Sequence, residues 1–385
     1  MKIPIDQDYC LEALKKLVRI NSINPELVSN GPGEVQIAEY IEEELTKCGL
    51  APRIHELKPK RCNAVAVLKG TGGGPSLMLN GHMDTVGVEG MKNPFSPEIR
   101  DGKLYGRGAQ DMKGSLAAML TAFKALTDSN VQLKGDLVFA AVADEEHGSI
   151  GTEALIQEYK TDAAIVTEPS GLDIGLAHRG FYVFEITTQG FATHGSLYQE
   201  GIDANMHMGR IMAELDYLSH TLLQGTKHPL VGPPSLHVPL ITGGQGLFIY
   251  SDKCQATVER RTLPGETQED IVTEMESILK KVAKEDNSVN ATLKEVMHRD
   301  SYEIASEAQI VQILTEETSN LLNREPSFTG HQWWEDSALL GEAGIETVIF
   351  GPKGAGAHSH EEWVDIQSVM DTAAILAGTA IRFCG

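Results

Sequence analysis

The chain has 385 residues, 41% of them hydrophobic, which is enough for a large core and more than one domain. Its formal net charge of -22 argues against nucleic acid or an anionic membrane as the main partner, and an anionic substrate would need a local basic group or a metal to hold it. The 5 cysteines (Cys10, Cys48, Cys62, Cys254, Cys384) are scattered singly, suggest no disulfide framework, and leave only Cys10 as a weak candidate nucleophile with no histidine near it.

MKIPIDQDYC at the start carries no apolar signal segment, and no stretch is long and apolar enough to span a bilayer, so the cytoplasm is the expected location. Helical periodicity marks Gln7–Arg19, with Leu11, Leu14, Leu17 and Val18 on one face, and more weakly Glu34–Lys47. Asn63–Gly70 reads as a strand. The following TGGGP lacks the lysine and spacing of a phosphate loop and is expected to be a hairpin turn into Ser76–Asn80. That second strand, Leu77-Met78-Leu79, breaks at Asn80-Gly81. His82 and Asp84 then stand at or just past its C-terminal end, where open α/β sheets place ligands. A ligand site and a partly buried histidine held by a carboxylate both remain open here.

Asp111–Leu126 is predicted to be helical, Gly135–Glu146 and Asp162–Ser170 to be buried strands ending in acids. The texture changes near Leu176. GFYVFEITTQG alternates like a half-exposed strand; a helix (Asn205–Leu218), two strands (Leu236–Thr242, Gln255–Arg260), a helix capped by Thr267 with Asp270 three residues on, and a strand (Asn290–Met297) follow. That order is βαββαβ, the split βαβ pattern, and it looks inserted into the first domain. Ser306–Leu322, IETVIFGP and Asp365–Phe383 then supply helix, strand and closing helix. The expected domains are 1–177 and 299–385 for the first and 178–298 for the insertion.

Polar groups accumulate at strand ends: His82, Asp84, Asp111, Asp144-Glu145-Glu146, Glu168 and His358. One such acid is usually a helix cap or a surface group, and Asp111 could cap a helix beginning at Met112. Several that converge would repel one another without a cation. Histidine nitrogen with carboxylate oxygen, and no thiolate, suits zinc, cobalt or manganese. Spacing alone does not establish the convergence.

The motifs GHMDTV (81–86), GRGAQDMKG (106–114), ADEEHGSIG (143–151), TEP (167–169), GFATHGSLYQEGIDAN (190–205), RRTLPGE (260–266) and AHSHEEWV (357–364) span nearly the whole chain. In these the chain closely resembles the dinuclear-zinc M20 metallopeptidases, the family of acetylornithine deacetylase, succinyl-diaminopimelate desuccinylase, aminoacylase-1 and glutamate carboxypeptidase. The resemblance implies an α/β fold: a zinc-peptidase catalytic domain with a central mixed sheet flanked by helices, plus an inserted βαββαβ ferredoxin-like lid and dimerisation domain. It implies two divalent metal ions, zinc first, with cobalt or manganese as alternatives. His82 and Glu168 would bind one ion, Glu146 and His358 the other, and Asp111 both. Asp84 would accept a hydrogen bond from the far ring nitrogen of His82. Glu145 would be the general base and acid, separated from Glu146 because adjacent residues of an extended backbone point to opposite faces.

The resemblance also gives His194 a place in oxyanion stabilisation, reached across a homodimer formed through the lid. Arg261 and Asn205 would hold the substrate carboxylate or nearby backbone. Relatives commonly carry an aspartate two residues before that arginine; here it is Glu259, a change of length and not charge. Trp333 and Trp334 could line a specificity pocket or pack against the closing helix, with core packing expected for one; Asp336 matches a family aspartate near the site. The expected activity is metal-dependent hydrolysis of the amide of an N-acyl amino acid, most like acetylornithine deacetylase. A dipeptidase, carboxypeptidase or aminoacylase of the same family is the alternative. A non-catalytic binding protein is disfavoured because Glu145 and every ligand position are filled, and a two-metal phosphoesterase because basic clusters are scarce.

Overall fold

The computed structural model describes residues 3–385. In chain order it forms α1 (Gln7–Arg19), α2 (Val35–Lys47), β1 (Arg53–Lys58), β2 (Arg61–Leu68), β3 (Leu77–His82), β4 (Glu98–Arg100), β5 (Lys103–Tyr105), an irregular turn (Ala109–Lys113), α3 (Gly114–Asp128), β6 (Leu137–Val142), α4 (Ile150–Glu158), β7 (Ala163–Val166) and β8 (Ile174–His178). There follow β9 (Gly180–Gln189), α5 (Ala204–Gln224), β10 (Ser235–Gly243), β11 (Lys253–Thr262), α6 (Gln268–Glu285) and β12 (Asn290–Arg299). The chain finishes with β13 (Tyr302–Glu303), α7 (Gln309–Leu322), β14 (Phe328–His331), α8 (Ser337–Glu342), β15 (Glu346–Ile349), β16 (Gly354–Ala355), β17 (Trp363–Asp365) and α9 (Ile366–Cys384).

Two compact units divide the chain, one made of the residues up to Leu176 with Ile304–Thr329 and Glu335–Gly385, the other of Ala177–Glu303 with Gly330–Trp334. The second unit therefore runs past the expected return at 299, because β13 pairs with the end of β8 through Tyr302–His178 and Glu303–Ala177.

In the first unit β6, β3, β7 and β15 lie side by side and parallel, with antiparallel β1, β2 and β8 outside them. The inner strands read as continuous apolar runs because both faces are covered. Every residue of β3, β6 and β7 is buried. Parallel strands end at the same edge, so the residues after His82, Val142 and Val166 are delivered together. This is how three distant acidic segments reach one place.

TGGGP is not a hairpin turn. β6 lies between β2 and β3, pairing antiparallel with the first and parallel with the second. The glycine run is a crossover, with Gly72 and Gly73 at φ +98 and +87, and it is pressed so close to the 134–135 segment that a Cβ on Gly135 would stand 1.8 Å from the Pro75 carbonyl oxygen.

Helix α3 begins at Gly114, not at Asp111. Asp111 (φ -121, ψ 93) and Met112 (φ -133, ψ 38) are not helical, and the peptide bond between them is cis. The cause is the Glu362 carboxylate, which accepts the backbone N–H groups of Gly108, Gln110 and Asp111 and holds them in a turn of their own. Asp111 is therefore no helix cap. The acids after β6 also leave the strand early: β6 stops at Val142, and Asp144 turns the chain at φ +72.

In the second unit the sheet order is β10-β11-β9-β12, antiparallel throughout. The inward residues Tyr182, Phe184 and Ile186 of β9 pack with Met208, Ile211 and Leu215 of α5 and with Ile271 and Met275 of α6. The predicted capping box of α6 is present, Thr267 bonding the Asp270 N–H and Asp270 the Thr267 N–H. Helix α5 is longer than its periodicity suggested, reaching Gln224. Among the described residues no helix is long and apolar enough to cross a membrane. Cys10 is 1% exposed, and burial pushes its thiol up to about 11, both of which argue against a nucleophilic role.

Candidate metal centre

His82, the last residue of β3, is 1% exposed. Its Nδ1 lies 3.0 Å from the backbone carbonyl of Asp84, so Nδ1 carries a proton and Nε2 is turned outward. There Nε2 stands 2.9 Å from Asp111 Oδ1 and 3.4 Å from Glu168 Oε1. His358, at φ 60 in the loop between β16 and β17, points its Nε2 at Glu146 Oε2 (2.9 Å) and Asp111 Oδ2 (3.2 Å). Asp111 thus presents one oxygen to each histidine. The Glu145 carboxylate joins His82 and Glu168 in a second grouping whose ligand atoms all lie within 4.8 Å of one another, as do those of His82, Asp111 and Glu146.

The electrostatics show how much cation this cluster calls for. Burial pushes the Glu146 carboxyl up to about 7, with Asp111 adding to it. Burial likewise raises Glu145 and Glu168 well above the carboxylate range, helped for Glu145 by Glu168 and Asp336 and for Glu168 by Asp111 and Glu335. Burial opposes charge on His82, but Asp111, Glu168 and Glu145 outweigh it and raise its pKa. Hydrogen bonds to Asp111 and Glu146 lift His358 to about 10, and the two histidines hold Asp111 below its usual range against its burial.

The residues fit divalent metal. Glu146 Oε1 is buried and, among the described residues, accepts no hydrogen bond. The donor set is imidazole nitrogen and carboxylate oxygen, which suits zinc, cobalt or manganese.

Asp84 differs from its expected role. Its carboxylate Oδ1 stands 3.7 Å from His82 Nδ1, and its backbone oxygen takes the imidazole proton instead. The carboxylate, 0% exposed, accepts from Asn24 Nδ2 at 2.8 Å and from the N–H groups of Glu145 and Glu146 at 3.2 and 3.3 Å. It holds the turn that carries both glutamates. That turn, and not the alternation of an extended strand, is what separates Glu145 from Glu146.

Sequence reasoning gave several supporting groups no specific role. Asp144 is buried and accepts from Arg61 Nη2 at 2.7 Å. Glu362 bonds Arg107 at 2.8 Å besides the three backbone groups beside Asp111, and Arg107 Nη2 in turn donates to the Ser359 carbonyl at 2.9 Å. One ion pair therefore ties the Asp111 turn to the His358 loop. The motifs GRGAQDMKG and AHSHEEWV contain Arg107 and Glu362, but nothing local marks them. Asp336 is buried and accepts from Thr152 Oγ1 at 2.5 Å, with burial raising its carboxyl to about 6.

Lys113 is buried beside this turn, its Nζ donating to the Ile20 carbonyl at 2.6 Å, and burial pulls its pKa from 10.5 down to about 7. Between those two values the unfolded chain binds the extra proton, so this group makes stability rise with pH across that window. Lys113→Met is expected to flatten the rise, measured by urea unfolding at several pH values from 7 to 10.5. An unaltered slope would exclude this titration.

The other expected site residues belong to the second unit. His194 is exposed in the loop after β9, its Nδ1 2.8 Å from Ser196 Oγ. Asn205 is exposed in the first turn of α5. Arg261 on β11 pairs with Glu259 at 2.5 Å and lies over the Phe181 ring, so the glutamate does make the local pair. Trp333 is 52% exposed and is not core. Trp334 is half-buried, donates its Nε1 proton to the Asp300 carbonyl at 3.1 Å, and meets His178 edge-on.

Buried His82 and Glu168, half-buried Asp111, Glu145 and Glu146, and the more exposed His358 form a donor set for divalent metal beside the strand ends of a mixed α/β sheet. The chain belongs to peptidase family M20/M25/M40, whose model matches residues 78–382. It is similar to an N-formyl-4-amino-5-aminomethyl-2-methylpyrimidine deformylase of Halalkalibacterium halodurans, with 30% identity over 380 residues, 90% of this chain and 88% of that one. It is 28% identical over 362 residues to an acetylornithine deacetylase of Myxococcus xanthus, covering 91% and 93% of the two chains. The crystal structure of aminopeptidase PepT from Bacillus cereus superposes with a TM-score of 0.81 at 19% identity, covering 99% of this chain and 100% of that one, which speaks for the fold alone.

Proposed function

We propose that the protein hydrolyses the amide of an N-acyl amino acid, in the manner of acetylornithine deacetylase, with a pair of divalent ions held by His82, Asp111, Glu146, Glu168 and His358. The observation that carries this reading is the placing of Asp111, one oxygen toward His82 and the other toward His358. His82 and Glu168 would hold one ion, Glu146 and His358 the other, and Asp111 both. When bound, such a pair lowers the pKa of water and polarises an amide carbonyl. Glu145 accepts the proton of the attacking water and returns it to the leaving nitrogen. Asp84 keeps the Glu145 turn and, through its backbone, the His82 tautomer. Arg261 and Asn205 hold the substrate carboxylate, and His194 stabilises the oxyanion from a partner subunit.

The order β12-β9-β11-β10 supports reading the second unit as a ferredoxin-like lid. Its edge strand β10 exposes Leu240 (66%) and Ile241, and the loops nearby expose Tyr198, Leu247 and Phe248. We read this apolar surface as a homodimer interface. Light scattering at micromolar concentration is expected to give twice the chain mass; a fully active monomer would reject the cross-subunit role of His194.

A second reading within the same chemistry takes an N-formyl amine as substrate, because a 30% identical relative is a deformylase. Dipeptides test the peptidase alternative. The deciding experiment is turnover of N-acetyl, N-succinyl and N-formyl amino acids, an N-formyl aminomethylpyrimidine and dipeptides by protein reloaded with zinc, cobalt or manganese. Metal-dependent release of amine from N-acyl amino acids is expected. Activity confined to the pyrimidine or to dipeptides would replace the substrate, and none at all would sink the reading.

A further inference from the structure

Asn24 touches no metal-binding side chain, yet its amide is fully engaged. It is 0% exposed in the segment after α1, where its N–H donates to the Thr85 carbonyl at 2.9 Å. Its Nδ2 donates to Asp84 Oδ2 at 2.8 Å and to Asp144 Oδ1 at 2.9 Å. Its Oδ1 accepts from Arg61 Nη1 at 3.0 Å and from the Glu26 N–H at 2.9 Å. Two hydrogens and two lone pairs are all used, which a carboxamide can do and a carboxylate or hydroxyl cannot.

The neighbours of Asn24 make this consequential. Arg61 is 2% exposed and donates Nε to Glu34 Oε2 at 2.9 Å and Nη2 to Asp144 Oδ1 at 2.7 Å. Asp84 and Asp144 are the two groups that shape the glutamate turn: Asp84 accepts the N–H groups of Glu145 and Glu146, and the Asp144 carbonyl accepts that of Gly148 at 2.9 Å. Two buried carboxylates this close would repel each other, and Asn24 places an N–H between them.

We infer that Asn24, braced by Arg61, is a positioning residue for proton transfer: it clamps Asp84 and Asp144 together so that the turn presents Glu145 at a fixed angle. The inference rests on the reading of Glu145 as the proton carrier. Asn24→Asp keeps the size but sets a third carboxylate against the other two; Asn24→Ala removes the clamp without adding charge.

Both variants of the full chain are tested in two ways. In zinc-loaded protein, kcat is expected to fall roughly 10–100-fold with metal content unchanged, and KM to stay within about threefold. In metal-free protein, hydrogen exchange by mass spectrometry is expected to be about tenfold faster in peptides covering 143–148 and unchanged in those covering β3 and β6. Exchange unchanged at 143–148 would overturn the clamp, as would a loosening spread equally through β3 and β6, which is what a merely structural role gives. So would a loss of metal that accounts for the lost activity. If Asn24→Asp does not fold, Asn24→Ala decides by the same criteria. A parent that hydrolyses no amide would refute the proposed activity, while the exchange result, needing no substrate, would still decide whether Asn24 holds the turn.

Discussion

Glu145→Gln is expected to lower kcat by roughly 10²–10⁴-fold while the protein still binds two metal ions. The substitution keeps the volume and the hydrogen-bonding reach of the side chain but removes its capacity to take and return a proton. Glu145 lies in the turn held by Asp84, which accepts its N–H, and burial with neighbouring Glu168 and Asp336 raises its carboxyl against the opposing pull of His82. Elemental analysis beside the kinetics separates this role from its rival. An oxygen of the Glu145 carboxylate lies within 4.8 Å of the donor atoms of His82 and Glu168, so a metal-binding role is geometrically open to it. If Glu145→Gln loses metal in proportion to activity, Glu145 is a ligand and the proton carrier must be sought elsewhere. If it keeps metal and keeps activity, the proposed chemistry falls.

How the sequence announces this site, and where it is silent, follows from the range of the forces involved. Apolar runs that stop at an acid or histidine are local, so β3, β6 and β7 and the residues at their ends were legible, and with them His82, Glu146 and Glu168. Which strand pairs with which is not local. TGGGP has the composition of a hairpin, but β6, dozens of residues further on, takes the place beside β2. The start of α3 was misplaced for a similar reason. Apolar periodicity continues smoothly back through Met112, and the group that pulls Asp111 out of the helix, Glu362, is 251 residues away in the chain.

The buried ion network under the glutamate turn was the least visible part. Arg61 heads the apolar strand β2 and Glu34 stands just before helix α2, and no local pattern singles out either. Only the fold brings Arg61, Glu34, Asn24 and Asp144 within hydrogen-bond distance. Asp84 shows the same limit in smaller form. Its spacing from His82 suggested a carboxylate partner, but the atom that accepts from the imidazole is the backbone oxygen of Asp84, set by the bend after β3.

Asp111→Ala should do more damage than the loss of any outer partner, whose removal commonly costs roughly 10–100-fold in metal affinity or activity. The two oxygens of Asp111 face two different histidines, at 2.9 Å and 3.2 Å, so one truncation strips an anionic donor from both proposed ion positions. The expected result is zinc content falling from two ions to fewer than one, and turnover falling by about a thousandfold or more. His358→Ala provides the contrast. It removes a half-exposed donor from one position only, and should leave the ion associated with His82 and Glu168 in place. A graded loss, one ion for His358→Ala and both for Asp111→Ala, is what a shared carboxylate demands. Equal losses in the two variants would mean that the ions are not linked through Asp111, and full retention of both in Asp111→Ala would dismantle the dinuclear assignment.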